Sequence, residues 1–206
     1  LLMIISSISE FLRTMNVQKM NWKNLHINSG WTLFLDRDGV INRKIDGDYV
    51  RNLPQFEWLP GVQEALKKLA SVFGRIIIVT NQQGVGKGLM SGEDVESIHQ
   101  HMIKEVKKTG GRIDHVYYSP HLKQENSDFR KPGIGMALQS KRDFPEIDFT
   151  RSIMVGDSVS DMEFGKIAGM ITVFITNGKT LPEQANLIDH SYVDLSEFTS
   201  KFSQSV

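Results

Sequence analysis

The apolar positions along the chain follow two rhythms. Short runs rich in apolar and β-branched residues read as strands: WTLFL (31–35), RIIIVT (75–80), RIDHVYYS (112–119), SIMVG (152–156) and MITVFIT (170–176). Between them the spacing becomes helical. Val62, Ala65, Leu66, Leu69 and Phe73 fall on one face, opened by Gly61 and ended by Gly74. Val95, Ile98, Met102 and Val106 form a second stripe, with Ser91 and Asp94 placed for a capping box and Gly110-Gly111 as the stop. Further helices are expected over about 133–142 and 159–168. Beyond 176 the pattern is weak and suggests only short helices near 182–187 and 194–202.

Strands alternating with helices predict an α/β fold, a three-layer Rossmann-like sandwich around a mostly parallel sheet. No interval is long enough for a large cap domain. A chain of 206 residues suits one domain, expected over 29–206, with 1–28 as an N-terminal extension. Its opening, LLMIISSISEFL, is apolar but well short of the ~20 residues that cross a bilayer. It lacks a basic leader and reads as an amphipathic or frayed extension, with Met15 and Met20 as candidate starts. No membrane association is expected.

Lysine plus arginine and aspartate plus glutamate number 24 each, so the chain carries no net charge. That argues against a nucleic-acid binder. Cysteine is absent, which excludes disulfides, cysteine-held zinc and thiol nucleophiles and suits a cytoplasmic location. A monomer is the default expectation.

The candidate chemistry sits where strands end. LFLDRDGVIN (33–42) stops an apolar run at Asp36 and Asp38, two carboxylates that repel unless a cation or a shared proton relieves them. Alone, the pair is compatible with an ordinary strand end. GDSVSD (156–161) adds Asp157 directly after another strand and Asp161 one helical turn later. Asp157 taken alone could be a helix cap; taken with Asp36 it makes an oxygen cluster suited to Mg2+. Thr80 ends the second strand, where its hydroxyl could hold a phosphate oxygen or merely finish the strand. Arg130 and Lys131, before Pro132 at an expected first helical turn, are either solvated or opposed to the carboxylates. GVGKG (84–88) lacks the Ser or Thr that a P-loop places after its lysine, and reads as a lid or rim loop. His99 and His101, two apart on a helix, point to different sides and make no metal site.

In order and spacing, DRDGVIN, VTNQQG, RKP and GDSVSD resemble the four motifs of the haloacid dehalogenase superfamily of phosphatases. The closer likeness is to the branch holding D-glycero-D-manno-heptose 1,7-bisphosphate and histidinol-phosphate phosphatases. The resemblance implies Asp36 as nucleophile, Asp38 as acid and base, and Thr80 and Lys131 as stabilisers of the phosphoryl oxygens. It implies Mg2+ on Asp36, the Asp38 main-chain carbonyl and Asp157, with Asp161 behind them. Asp46, Gly47, Tyr49, Asn81, Gln82 and Arg130 match positions that face substrate.

One departure concerns a structural zinc that many relatives hold on the loop before RKP. The matching positions here are Ser119, His121, Ser127 and Phe129, and a lone histidine makes no zinc site, so none is expected. The implied substrate is a small sugar phosphate, heptose 1,7-bisphosphate before histidinol phosphate. A transferase sharing the same intermediate and a catalytically silent binding module are the rivals, the second disfavoured because every motif group is present.

Overall fold

The structure is a computed structural model that describes residues 22–203. Its centre is a six-stranded sheet, all parallel, in the order β3-β2-β1-β4-β5-β6. The strands are β1 (Thr32–Leu35), β2 (Arg75–Asn81), β3 (His115–Ser119), β4 (Ser152–Gly156), β5 (Ile171–Ile175) and β6 (His190–Tyr192). The helices are α1 (Val62–Ala70), a single turn α2 (Gln83–Gly86), α3 (Gly92–Lys108), α4 (Gly135–Asp143), α5 (Val159–Ala168) and α6 (Leu195–Ser203). This is the expected α/β sandwich.

Alternation along each strand explains the three layers. Leu33, Leu35, Ile76, Ile78, Ile153 and Val155 point to one face and pack under α1, α3 and α6, whose core residues include Leu66, Met102, Val106 and Phe198. Phe34, Ile77, Val79 and Met154 point to the other face, under α4 and α5, against Met136, Ala137 and Phe164. All of these side chains are fully buried, and each except Ala137 is worth about 1.5–3 kcal/mol of transfer free energy. The Ser91–Asp94 capping box forms in both directions, with Asp94 N donating to Ser91 Oγ and Asp94 Oδ2 accepting from Ser91 N.

Several expectations are corrected. The third strand starts at His115, not 112, because the Asp114 carboxylate accepts from Ile76 N at 2.7 Å and binds Arg112, ending the ladder there. The fourth helix begins at Gly135, leaving Pro132 in the preceding turn. Near 182–187 there is only a 3-10 turn (Ala185–Leu187), followed by β6, a strand with no apolar run to announce it. The 81–88 loop contains α2 and is pinned through Gln82 N to Ser119 O (2.7 Å) and Gly86 N to Pro120 O (3.1 Å).

The packed body also starts earlier than residue 29. Trp22 and Ile27 are buried. Trp22 stacks on His190 at 4.1 Å and donates its indole N–H to Tyr192 Oη at 2.8 Å. The expected frayed segment 1–12 and the candidate starts lie outside the described residues. Among the described residues no helix is long and apolar enough to cross a membrane.

Candidate active site

From β1 the chain runs outward through β2 and β3 and then crosses back to β4 on the other side of β1, so the strand order reverses beside β1. Ligands in open parallel sheets bind beyond the strand ends at such a point. Asp36 follows β1, its N–H donating to Val155 O at 2.9 Å, and Asp157 follows the neighbouring β4. Thr80 comes from β2, and Lys131 arrives on the loop before α4. Asp36, Thr80 and Lys131, with Asp38, Asp48, Tyr49, Asn81, Arg130 and Asp161, line a cleft of about 230 Å³, while Asp157 lines a neighbouring hollow with Gly39 and Lys44. Ser158 caps α5, its N–H donating to Asp161 Oδ2 at 3.0 Å; Asp157 is therefore not the cap, and its carboxylate is directed elsewhere.

Oxygens of Asp36, Asp157 and Asp161 lie within 4.8 Å of one another. Close glycines permit this. A Cβ at Gly39, whose φ is +89°, would stand 2.2 Å from Asp157 Oδ2, and one at Gly156 would collide with Asp161. Lys131, almost fully buried, sets its ammonium 3.0 Å from Asp36 Oδ1 and 2.6 Å from Asp161 Oδ1, and donates to Val79 O at 2.7 Å. Half-exposed Lys44 grips Asp157 at 3.0 and 2.8 Å.

This positive charge does not suffice. Burial, opposed by Lys131 and reinforced by the neighbouring aspartates, pushes the Asp36 carboxyl up to about 7, and burial also raises Asp157 despite Lys44. Lys131 itself is raised, because Asp161 and Asp36 outweigh its burial. A site of hard oxygen donors with surplus negative charge, one of them (Asp161 Oδ1) buried without a well-aligned hydrogen bond, fits a divalent cation such as Mg2+.

Asp38 is arranged differently. Its carboxylate accepts from Arg37 Nη2 (3.0 and 2.9 Å), Asn42 Nδ2 (2.9 Å) and Gln82 Nε2 (2.7 Å). Burial raises its pKa, but the Arg37 charge and these bonds outweigh burial, and the net direction is down. Two carboxyls separated by one residue are thus driven apart in proton affinity.

Comparison with known proteins bears on the family and the fold. The family model of polynucleotide kinase 3 phosphatase matches residues 33–203. D-glycero-alpha-D-manno-heptose-1,7-bisphosphate 7-phosphatase of Mycobacterium bovis is 52% identical over 133 residues, 65% of this chain and 70% of that protein. D-glycero-beta-D-manno-heptose-1,7-bisphosphate 7-phosphatase of Rhodopseudomonas palustris is 40% identical, over 66% of this chain and 78% of that protein. The crystal structure of D,D-heptose 1,7-bisphosphate phosphatase from B. bronchiseptica, complexed with magnesium and phosphate, superposes with a TM-score of 0.75 at 27% identity, covering 85% of this chain and 99% of that one.

The chain belongs to the haloacid dehalogenase phosphatases, in the heptose bisphosphate 7-phosphatase branch.

Within that family frame, the sequence-predicted rim residues divide. Tyr49 and Arg130 face the cleft, Tyr49 with its hydroxyl accepting from Gln83 Nε2 at 3.0 Å and Lys87 over its ring. Asn81 reaches the cleft wall, but its amide is spent on the Lys131 main chain, 3.0 Å in each direction. Gln82 is fully buried behind Asp38 and Thr80, to both of which its amide donates, and it does not line the cleft. Asp46 and Gly47 are exposed, and Asp46 borders a neighbouring hollow beside Lys44, Asp157 and Lys179.

On the loop before RKP, Ser119 Oγ lies 3.1 Å from His121 Nδ1, and Phe129 N donates to Ser127 Oγ at 3.2 Å. The structure also brings to the cleft, or to its carboxylates, residues that the sequence did not single out: Lys44, Arg37, Asn42, Ser158 and Ser160. Arg37 and Asn42 had a signal in their place inside DRDGVIN, and Ser158 and Ser160 in theirs inside GDSVSD; Lys44 had none.

Proposed function

We propose that this chain is a Mg2+-dependent phosphatase that hydrolyses the 7-phosphate of D-glycero-D-manno-heptose 1,7-bisphosphate through an aspartyl-phosphate on Asp36. The observation that carries the reading is the meeting of Asp36, Asp157, Asp161 and Lys131 at the reversal point of the sheet, beside an Asp38 held by its own set of donors.

Arg37 N (2.8 Å) and Lys131 both hold Asp36 Oδ1, which orients Oδ2 as the atom that attacks phosphorus. As the bond to the leaving oxygen breaks, Asp38 gives that oxygen a proton. It then takes a proton from the water that opens the acyl phosphate. Asp38 is ionised at rest, and the negative charge of an arriving phosphate is what raises it to the proton-carrying state. Thr80 Oγ1 already accepts from Gln82 Nε2 at 2.9 Å, so its own hydroxyl proton is left for a phosphoryl oxygen. Lys131 presents fixed positive charge to the same group.

Asp36, Asp157 and the Asp38 carbonyl would hold Mg2+, with Asp161 tying the site to α5. The bound ion would neutralise the carboxylates and polarise the phosphoryl group. Arg130 and Tyr49 stand where the sugar would lie. The substrate assignment rests on the names of the similar proteins, which include both anomeric types.

A phosphate-release panel tests it: both heptose bisphosphate anomers, histidinol phosphate and common sugar phosphates, with native protein and Asp36→Asn. Heptose bisphosphate turned over fastest, and no release by Asp36→Asn, is the expected result. Faster release from histidinol phosphate would overturn the substrate; equal rates for the two proteins would overturn the mechanism.

A further inference from the structure

We propose that His99, on α3, is a positioning residue for the leaving-group acid, acting through the Arg37 guanidinium to fix the carboxylate of Asp38. The inference rests on the phosphatase reading and adds to it a residue that lies outside the cleft.

Arg37 is fully buried, an unusual place for a guanidinium. Its Nη2 spans both oxygens of Asp38, and its Nη1 lies 3.1 Å from His99 Nε2. A guanidinium only donates. Nε2 must therefore offer its lone pair, which fixes the ring as the neutral tautomer with its proton on Nδ1. Burial first, then the Arg37 charge, push His99 down to about 3, so the imidazole stays neutral at any working pH. The charged groups that bear on it are Arg37 and, beyond it, Asp38; Tyr118 closes the other side edge-on at 5.7 Å.

A purely structural role explains this poorly. Nδ1 is buried and has no hydrogen-bond partner, so the ring carries an unsatisfied donor that a phenylalanine or leucine in the same place would not. What an apolar residue cannot do is accept from Nη1. Without that acceptor the guanidinium is held at one edge only, since Nε also lacks a partner. Its grip on Asp38 then loosens, while Asn42 and Gln82 remain. Fixing a proton donor in reach of the departing oxygen is the kind of positioning on which general acid catalysis depends.

The test compares native protein, His99→Phe and His99→Gln on two substrates. One is the sugar phosphate selected by the release panel, whose alkoxide needs a proton to leave. The other is p-nitrophenyl phosphate, whose phenolate leaves without one. Both kcat/KM values report steps up to phosphoryl transfer. His99→Phe is expected to lose about tenfold or more on the sugar phosphate, a fraction of what a general acid contributes, and to hold its rate on the aryl ester. Glutamine, whose amide oxygen can accept from Nη1, should recover most of the loss.

Equal losses on both substrates, no loss on either, or glutamine no better than phenylalanine would overturn the positioning role alone. Native protein inactive on both substrates would overturn the phosphatase reading beneath it. Should His99→Phe fail to fold, the 15N spectrum of the native imidazole decides: a protonated Nδ1 with an accepting Nε2 supports the role, and a protonated Nε2 overturns it.

Discussion

Replacing Lys131 with methionine removes a buried ammonium while keeping the length of the side chain. Lys131 lies 3.0 Å from Asp36 Oδ1 and 2.6 Å from Asp161 Oδ1, with about 3% of its surface exposed. At an effective dielectric of ~20, a unit pair about 3 Å apart interacts by about 5–6 kcal/mol, an upper bound before desolvation. Breaking a buried pair from one side typically costs about 3–5 kcal/mol, because the surviving charge stays buried. Urea unfolding in EDTA at pH 8 should show a loss in that range for Lys131→Met. The same comparison at pH 5 should show a smaller loss. Asp36, at about 7, is protonated there and needs no counter-ion. A loss below about 1 kcal/mol at pH 8, or one independent of pH, would mean that the ammonium does not balance this cluster.

The Asp36 carboxyl, raised from 3.8 to about 7, keeps a proton in the folded state that the unfolded chain has lost. In metal-free protein its contribution to stability is therefore greatest below pH 3.8 and declines up to about 7, by on the order of 4 kcal/mol, and Asp157, also raised, acts with the same sign. The stabilisation by saturating Mg2+, measured by urea unfolding, should grow across that window and level off above it; a flat profile would count against the charge argument. Gly39→Ala should cost about 1–2 kcal/mol of backbone strain and, with its Cβ 2.2 Å from Asp157 Oδ2, weaken Mg2+ binding in calorimetry. Gly47→Ala, also at positive φ but with nothing within 4 Å, should show the strain and leave Mg2+ affinity unchanged. Trp22→Ala should destabilise by about 3–5 kcal/mol in thermal or urea unfolding; a change near zero would remove Trp22 from the folded body.

What could be read from the sequence is what local pattern encodes. Strands β1, β2 and β4 announce themselves because both faces are buried and their residues are almost all apolar. The Ser91 cap is a three-residue signal, and the acidic pairs stand at the ends of those strands. Other features depend on partners far along the chain. β6 is three residues, His190–Tyr192, that become a strand only because β5 offers an edge. Lys44 pairs with Asp157 across 113 positions, and nothing local separates it from any surface lysine. Gln82 was read as facing substrate because it sits in a motif, yet Asp38 and Thr80 both draw its amide inward. The place of Arg37 depends likewise on His99, 62 residues away, which gives its guanidinium somewhere to donate.

The residue that carries the phosphate during turnover is the most direct measure of the chemistry. Protein mixed with heptose bisphosphate and Mg2+, quenched within a turnover and reduced with borohydride, converts an aspartyl-phosphate to homoserine, which peptide mass spectrometry locates. Homoserine at position 36, present with substrate and Mg2+ and abolished by EDTA, is the predicted result. Phosphate released in full with Asp36 unmodified, or the label found on another residue, would contradict it.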